Sequence, residues 1–261
     1  MFSPEGIKRV VIKVGTSTLT HSTGRLDLRH LETLARVLSD IKNMGLDVVL
    51  VTSGAIGVGM SKLGMTVRPQ ELRYKQAAAS VGQCELMHIY DKFFLDYSQV
   101  VGQILITKSD IVEEVRREKV ESTFEALFEL GAIPVVNEND TTGVDEILFG
   151  DNDTLSAEVA ALVKADLLII FSDIDGLYEC EPHANENARI IPRVTEINAD
   201  IRSLAGGAGT KLGTGGMVTK IHAAEVCFES GIPMVITNGS RIENAYDILA
   251  GHIPGTLFMK D

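Results

Sequence analysis

The sequence predicts an α/β fold, a three-layer α/β/α sandwich around a mainly parallel central sheet. Short runs that are apolar throughout recur along the chain, and amphipathic helical patterns separate them. Each run is followed by small or polar residues, KVGTS, TSGAIGVG, NEND, SDID and TNGS, of the kind found where ligands bind beyond the carboxyl ends of a doubly wound sheet.

Strands are expected at RVVIKV (9–14), DVVLVT (47–52), VVGQILIT (100–107), AIPVVN (132–137), DLLIIF (166–171) and IPMVIT (232–237), with GTLFM (255–259) as an edge strand. Because most of these runs are apolar on both sides, helices are to cover both faces through right-handed crossovers. Helical periodicity covers 28–44, 71–94, 113–130, 154–164, 217–230 and 242–249, and Gly45, Gly131 and Gly231 stand where helix stops belong. The stretch 141–150 reads as a hairpin or loop. Residues 179–216, richer in Pro, Asn and Gly, read as irregular structure with a mobile glycine-rich loop. No repeat or linker divides the chain, so 1–261 reads as a single domain, with 1–165 holding one ligand and 166–261 a second.

Composition narrows the classes. Hydrophobic residues make up 45% and charged residues 23%, as in an ordinary globular protein. The longest apolar run, 165–171, is broken by Asp166 and is too short to span a bilayer. The N-terminus lacks the features of a signal peptide, which points to the cytoplasm. A net charge of −12 argues against non-specific nucleic-acid binding, though a few lysines in one cleft still suit a small anion. The three cysteines and six histidines show no metal-ligand spacing.

Three charges resist a structural explanation. Lys13 interrupts a strand that should be covered on both faces, so it either snorkels to solvent or meets a ligand beside Gly15, Thr16 and Ser17. Lys220 falls in the first turn of a helix whose apolar face is Met217, Ile221, Ala224 and Phe228. The dipole disfavours a cation there by up to ~1 kcal/mol, so Lys220 is either simply exposed or balanced by an anion such as phosphate. Asp151, Asn152, Asp153 and Thr154 all suit a helix cap, where one is enough. Asp153 paired with both lysines would hold the two cations together. No Walker A loop or G-x-G-x-x-G motif occurs, which excludes the standard P-loop and dinucleotide folds.

VVIKVGTSTL, VLVTSGAIGVG, PVVNEND, GDNDTLSA, FSDIDGLY, GTGGMVTK and the final GTLF occur in order over essentially the whole chain. Together they resemble the amino-acid kinase family, with its carbamate kinase-like fold. Within it, the KVGTS form is similar to the branch that uses ATP to phosphorylate the γ-carboxylate of L-glutamate, the first step of proline synthesis, rather than to acetylglutamate kinase or aspartokinase. Many members of that branch carry a C-terminal PUA domain, and this chain reads as the kinase domain without one. Ser172 stands where relatives often have Thr and keeps the hydroxyl.

The resemblance implies that Lys13 and Lys220 hold the phosphates, with Asp153 organising both. It assigns Ser53, Gly54, Asn137, Asp140 and Asn152 to glutamate. ATP would lie over Lys13, Ser172, Asp173 and the segment Thr214, Gly215, Gly216, Met217, Val218, Thr219 and Lys220. Mg²⁺ is expected on the ATP phosphates, with no direct protein ligand assigned. Proline is expected as a feedback inhibitor and the chain as a homo-oligomer, with neither nucleic acid nor membrane as partner. The helix at 71–94 reads either as core packing or as part of that oligomer interface. Two other readings stay open: a related kinase with another carboxylate, carbamate or phosphate acceptor, and an inactive nucleotide-binding regulator.

Overall fold

The computed structural model describes residues 2–21, 23–143, 152–180, 185, 188–205 and 216–261. The elements run β1 (Arg9–Val14), α1 (Thr16–Leu19), α2 (Leu28–Asn43), β2 (Asp47–Val51), α3 (Ala55–Lys62), α4 (Leu72–Leu95), β3 (Val101–Ile106), α5 (Lys108–Val112), α6 (Glu114–Glu129), β4 (Ile133–Glu138), α7 (Asn152–Leu162), β5 (Leu167–Ser172), β6 (Arg193–Val194), α8 (Ala199–Ala205), α9 (Met217–Ser230), β7 (Met234–Asn238), α10 (Asn244–Leu249) and β8 (Gly255–Phe258). The sheet has eight strands in the order β3-β4-β2-β1-β5-β7-β8-β6. Its pairings are parallel except β7 with β8, which is antiparallel.

The parity of each strand sorts its side chains between two cores. Val11, Val49, Val51, Val136, Leu168 and Ile170 face one layer, which contains α6, α7 and α9. Val10, Ile12, Val48, Leu50, Val135, Ile169 and Phe171 face the other, built from α2, α4 and α10. Among the described helices none is long and apolar enough to cross a membrane.

Several elements differ from the sequence reading. GTLF is not the edge of the sheet, because β6 pairs outside it through Arg193 with Leu257 and Val194 with Phe258. β6 and α8 both fall in the stretch expected to be irregular, and a strand of two residues is too short to show a period. The glycine-rich run after β2, to which the sequence reading assigns no helix, forms helix α3. The expected loop at 141–150 lies mostly outside the described residues, and the expected glycine-rich loop lies outside them from 206 to 215.

Glycine is required in α3 by a close helix crossing rather than by propensity. A Cβ on Gly59 would lie 1.8 Å from the carbonyl oxygen of Ala78, and one on Gly82 would lie 1.8 Å from that of Ala55. The backbones of α3 and α4 therefore touch directly, which fixes the depth of α4 against the ends of β2 and β4. On α4, Leu72 is exposed, whereas Ala79, Gly82, Gln83, Leu86, Tyr90 and Phe94 are buried, so the inner stripe is core packing.

We expect Gly82→Ala to destabilise the chain by about 2 kcal/mol or more, because the contacting atom is backbone and cannot step aside. Urea titration with an unchanged m-value would show it.

Candidate active site

Lys13 shares the parity of Val11 and so enters the layer of α7 and α9, where it is only 6% exposed. Asp153, fully buried, stands in the first turn of α7, and Lys220, 4% exposed, in the first turn of α9. Lys13 Nζ lies 2.5 Å from Asp153 Oδ1, and Lys220 Nζ lies 3.0 Å from Asp153 Oδ2. A single carboxylate thus holds two ammonium groups on its two oxygens. The Thr219 hydroxyl lies 3.0 Å from Asp153 Oδ2 and 2.7 Å from the carbonyl oxygen of Gly216.

Charge explains the pairing. Buried cations are tolerated only when paired, and burial by itself would push the Asp153 carboxyl up. The charges of Lys13 and Lys220 overcome that cost and hold it down to about 2. The unfavourable position of Lys220 in a first turn is therefore answered within the protein, by Asp153. The triad still carries one net positive charge, enough to favour an incoming anion.

Asn152, beside Asp153, turns its amide nitrogen towards β2 and β4. Its Nδ2 donates to the carbonyl of Thr52, to Ser53 Oγ at 3.0 Å and to Asn137 Oδ1 at 2.8 Å. It thereby ties the ends of β2 and β4 together. Asn137 Oδ1 also accepts from Glu138 N at 2.9 Å, and its Nδ2 donates to Gln83 Oε1 at 2.9 Å. Thr52 Oγ1 pairs with the Tyr90 hydroxyl at 2.7 Å. Asp140, half-buried in the segment after β4, has its carboxyl pushed up by burial, against the opposing charge of Arg68. Gly54 caps α3 at φ +91 without a side-chain bond, and Thr16 packs 3.3 Å from where its Cβ would be.

The remaining sequence candidates form a second group. Ser172, buried at the end of β5, is level with Asn238 of β7 and donates to Asp173 Oδ1 at 3.1 Å, while Asp173 itself is exposed. Asn238 donates to Asp175 Oδ1 at 2.7 Å and Tyr178 OH to Asp175 Oδ2 at 2.9 Å, a cluster the sequence reading did not single out. Gly216 caps α9 in extended conformation with no side-chain bond, Met217 packs on the core, and Val218 is 48% exposed. Thr214 and Gly215 lie outside the described residues, as does Asp151.

Two buried ammonium groups and the first turns of α7 and α9 are thus grouped at the carboxyl edge of the parallel strands, where helix N-termini favour anions. The chain belongs to the amino acid kinase family, whose model matches residues 8–238. Among its relatives are glutamate 5-kinases. That of Clostridium acetobutylicum is 55% identical over 253 residues, covering 97% of this chain and 95% of the relative. That of Listeria monocytogenes is 52% identical over 255 residues, covering 96% and 92%. That of Carboxydothermus hydrogenoformans is 50% identical over 255 residues, covering 97% of this chain and 68% of the longer relative. The UMP kinase of Ureaplasma parvum (TM-score 0.68, 16% identity, 97% and 99% coverage) shares the fold. So does the carbamate kinase of Giardia lamblia bound to AMP-PNP (TM-score 0.67, 18% identity, 98% and 99% coverage).

Removing the charge of Asp153 strands two cations, so Asp153→Asn should cost about 3 kcal/mol at neutral pH. Adding Lys220→Met should recover part of that loss in a double-mutant cycle followed by urea unfolding. Because the folded carboxyl titrates near 2 and the unfolded one near 3.8, its contribution is complete above that upper value. It is lost as pH falls through the lower one, so the gap in stability between wild type and Asp153→Asn should narrow across that window.

Proposed function

We propose that this chain transfers the γ-phosphoryl group of ATP to the γ-carboxylate of L-glutamate, giving L-glutamyl 5-phosphate and ADP, the first step of proline biosynthesis, in the cytoplasm. The observation that carries the reading is the buried Lys13–Asp153–Lys220 triad at the carboxyl edge of the sheet. The ordered motifs and the half-identical glutamate 5-kinases support the choice of acceptor.

The reaction suits this inventory. A glutamate side-chain carboxyl ordinarily titrates at about 4.3, so it is already ionised at neutral pH and needs no general base. One carboxylate oxygen forms a bond to the γ-phosphorus while the bond from that phosphorus to the β–γ bridging oxygen breaks, and ADP leaves with the electron pair. What the protein supplies is position and positive charge. Lys13 and Lys220 flank the transferred group, and Asp153 sets their separation and keeps both in place. Thr219 and the amides at the start of α9 face the phosphates, with Gly216, Met217 and Val218 beneath the nucleotide and Ser172 and Asp173 beside it. Ser53, Gly54, Asn137 and Asn152 hold the acceptor. Asp140 takes its ammonium group, a cation that the burial-raised carboxyl would gain from binding. The lobe 1–165 thus receives the amino acid and 166–261 the nucleotide.

Mg²⁺ fits as a companion of the triphosphate. Both Asp153 oxygens are engaged by ammonium groups. With that carboxylate committed to the lysines, the ion would be carried on phosphate oxygens, where it would neutralise their charge. Proline, whose α-carboxylate and ring ammonium correspond to the α-carboxylate and primary α-ammonium of glutamate, would compete at the acceptor site, and self-association of the chain is part of the same proposal.

Incubation with ATP, Mg²⁺ and glutamate should release ADP, and hydroxylamine should trap the acyl phosphate as a hydroxamate. Glutamate-independent background alone would overturn the reading. Lys220→Met should lower kcat by at least about a hundredfold. Asp140→Asn should raise the glutamate KM at least about tenfold while leaving the ATP KM near its wild-type value.

A further inference from the structure

The hydrogen-bond direction across the floor of the acceptor region is set by a group that cannot be turned around. Glu138 N is a backbone amide and always a donor, so the end of Asn137 that faces it must be Oδ1. Asn152 Nδ2 donates to the same oxygen. Asn137 therefore presents Nδ2 to Gln83, Gln83 must offer Oε1 in return at 2.9 Å, and its own Nε2 is left at the far end of the chain of amides. Gln83 is 7% exposed, and Nε2 is buried with no hydrogen-bond partner among the described residues. A buried amide donor left unmet is costly, so its position calls for an acceptor that the described protein atoms do not supply.

The surroundings narrow what that acceptor is. Two turns earlier on α4, Gln76 Nε2 donates to the carbonyl of Gly143 at 3.2 Å, in the segment that carries Asp140. Two turns later, Tyr90 pairs with Thr52, next to Ser53. Gln83 thus lies between the two segments assigned to the amino acid. The Gly59 and Gly82 crossing, immediately beside it, fixes its height.

We propose that Gln83 is a further acceptor-binding residue, with Nε2 donating to a carboxylate oxygen of the amino-acid substrate. This rests on the reading of the site as one for a carboxylate acceptor. A neutral donor suits the task. It orients the carboxylate without neutralising the oxygen that must attack, and leaves the lysine charges to the phosphoryl group.

Gln83→Glu separates binding from propping, because it keeps an oxygen towards Asn137 and removes the donor. Gln83→Met removes both. Glutamate binding to the full chain is to be followed by calorimetry without nucleotide, beside ADP release and the unfolding midpoint of each ligand-free protein. Gln83→Glu should weaken glutamate binding at least about tenfold, increasingly so as pH rises and its buried carboxyl ionises, with the ATP KM within about twofold of wild type. Gln83→Met should weaken binding similarly without the pH slope. If Gln83→Glu binds glutamate as wild type does and Gln83→Met lowers only the unfolding midpoint, Gln83 merely supports Asn137 and the proposal fails. Wild type that binds glutamate without phosphorylating it overturns the kinase reading alone. Wild type that binds no glutamate overturns both.

Discussion

One carboxylate between two ammonium groups is the constraint around which the rest of this structure is arranged. Asp153 is fully buried, and each of its oxygens answers a lysine from a different element, Lys13 at the end of β1 and Lys220 at the start of α9. Neither lysine would stay charged and inward alone, and together they would repel. The requirement that all three meet fixes the approach of α7 and α9 to the centre of the sheet. It also fixes the parity of β1, since a slip of one residue would send Lys13 into the opposite core.

Next to the triad lies a network of amides. Asn152, Asn137 and Gln83 form a directional run from the first turn of α7 across the end of β4 to α4. A neutral network of this kind joins three elements without adding a field that would compete with the triad. Under the proposed function the labour would divide physically, with the net positive charge of the triad where the phosphoryl group moves and the amide network where the amino acid is oriented.

Much of this was legible in the sequence because it appeared there as anomalies. A lysine within an apolar strand, another in a helix's first turn and surplus acidic or amide residues at a third helix start are each unfavourable in isolation, and their common resolution is a shared site. The six longer strands were equally plain, since continuous apolar runs have few alternatives. What escaped notice lacked such a signature. Gln83 shares the stripe of Ala79, Leu86 and Tyr90 on α4 but is uncharged and belongs to no motif, so it did not stand out as the lysines did. The glycines of α3 hid a helix, because the close crossing that needs Gly59 involves Ala78 and Gly82 of another helix, which local pattern does not show. β6 exists only through its pairing with β8.

The reversal at β8 has a geometric outcome. Phe258 pairs with Met234, the first residue of β7, so β8 finishes at the amino-terminal rim of the parallel strands. The polypeptide therefore leaves the sheet from the rear, with Arg193 and Asp261 bonded there at 2.8 Å. A tag fused beyond Asp261 would begin at the rim opposite the Lys13–Asp153–Lys220 triad.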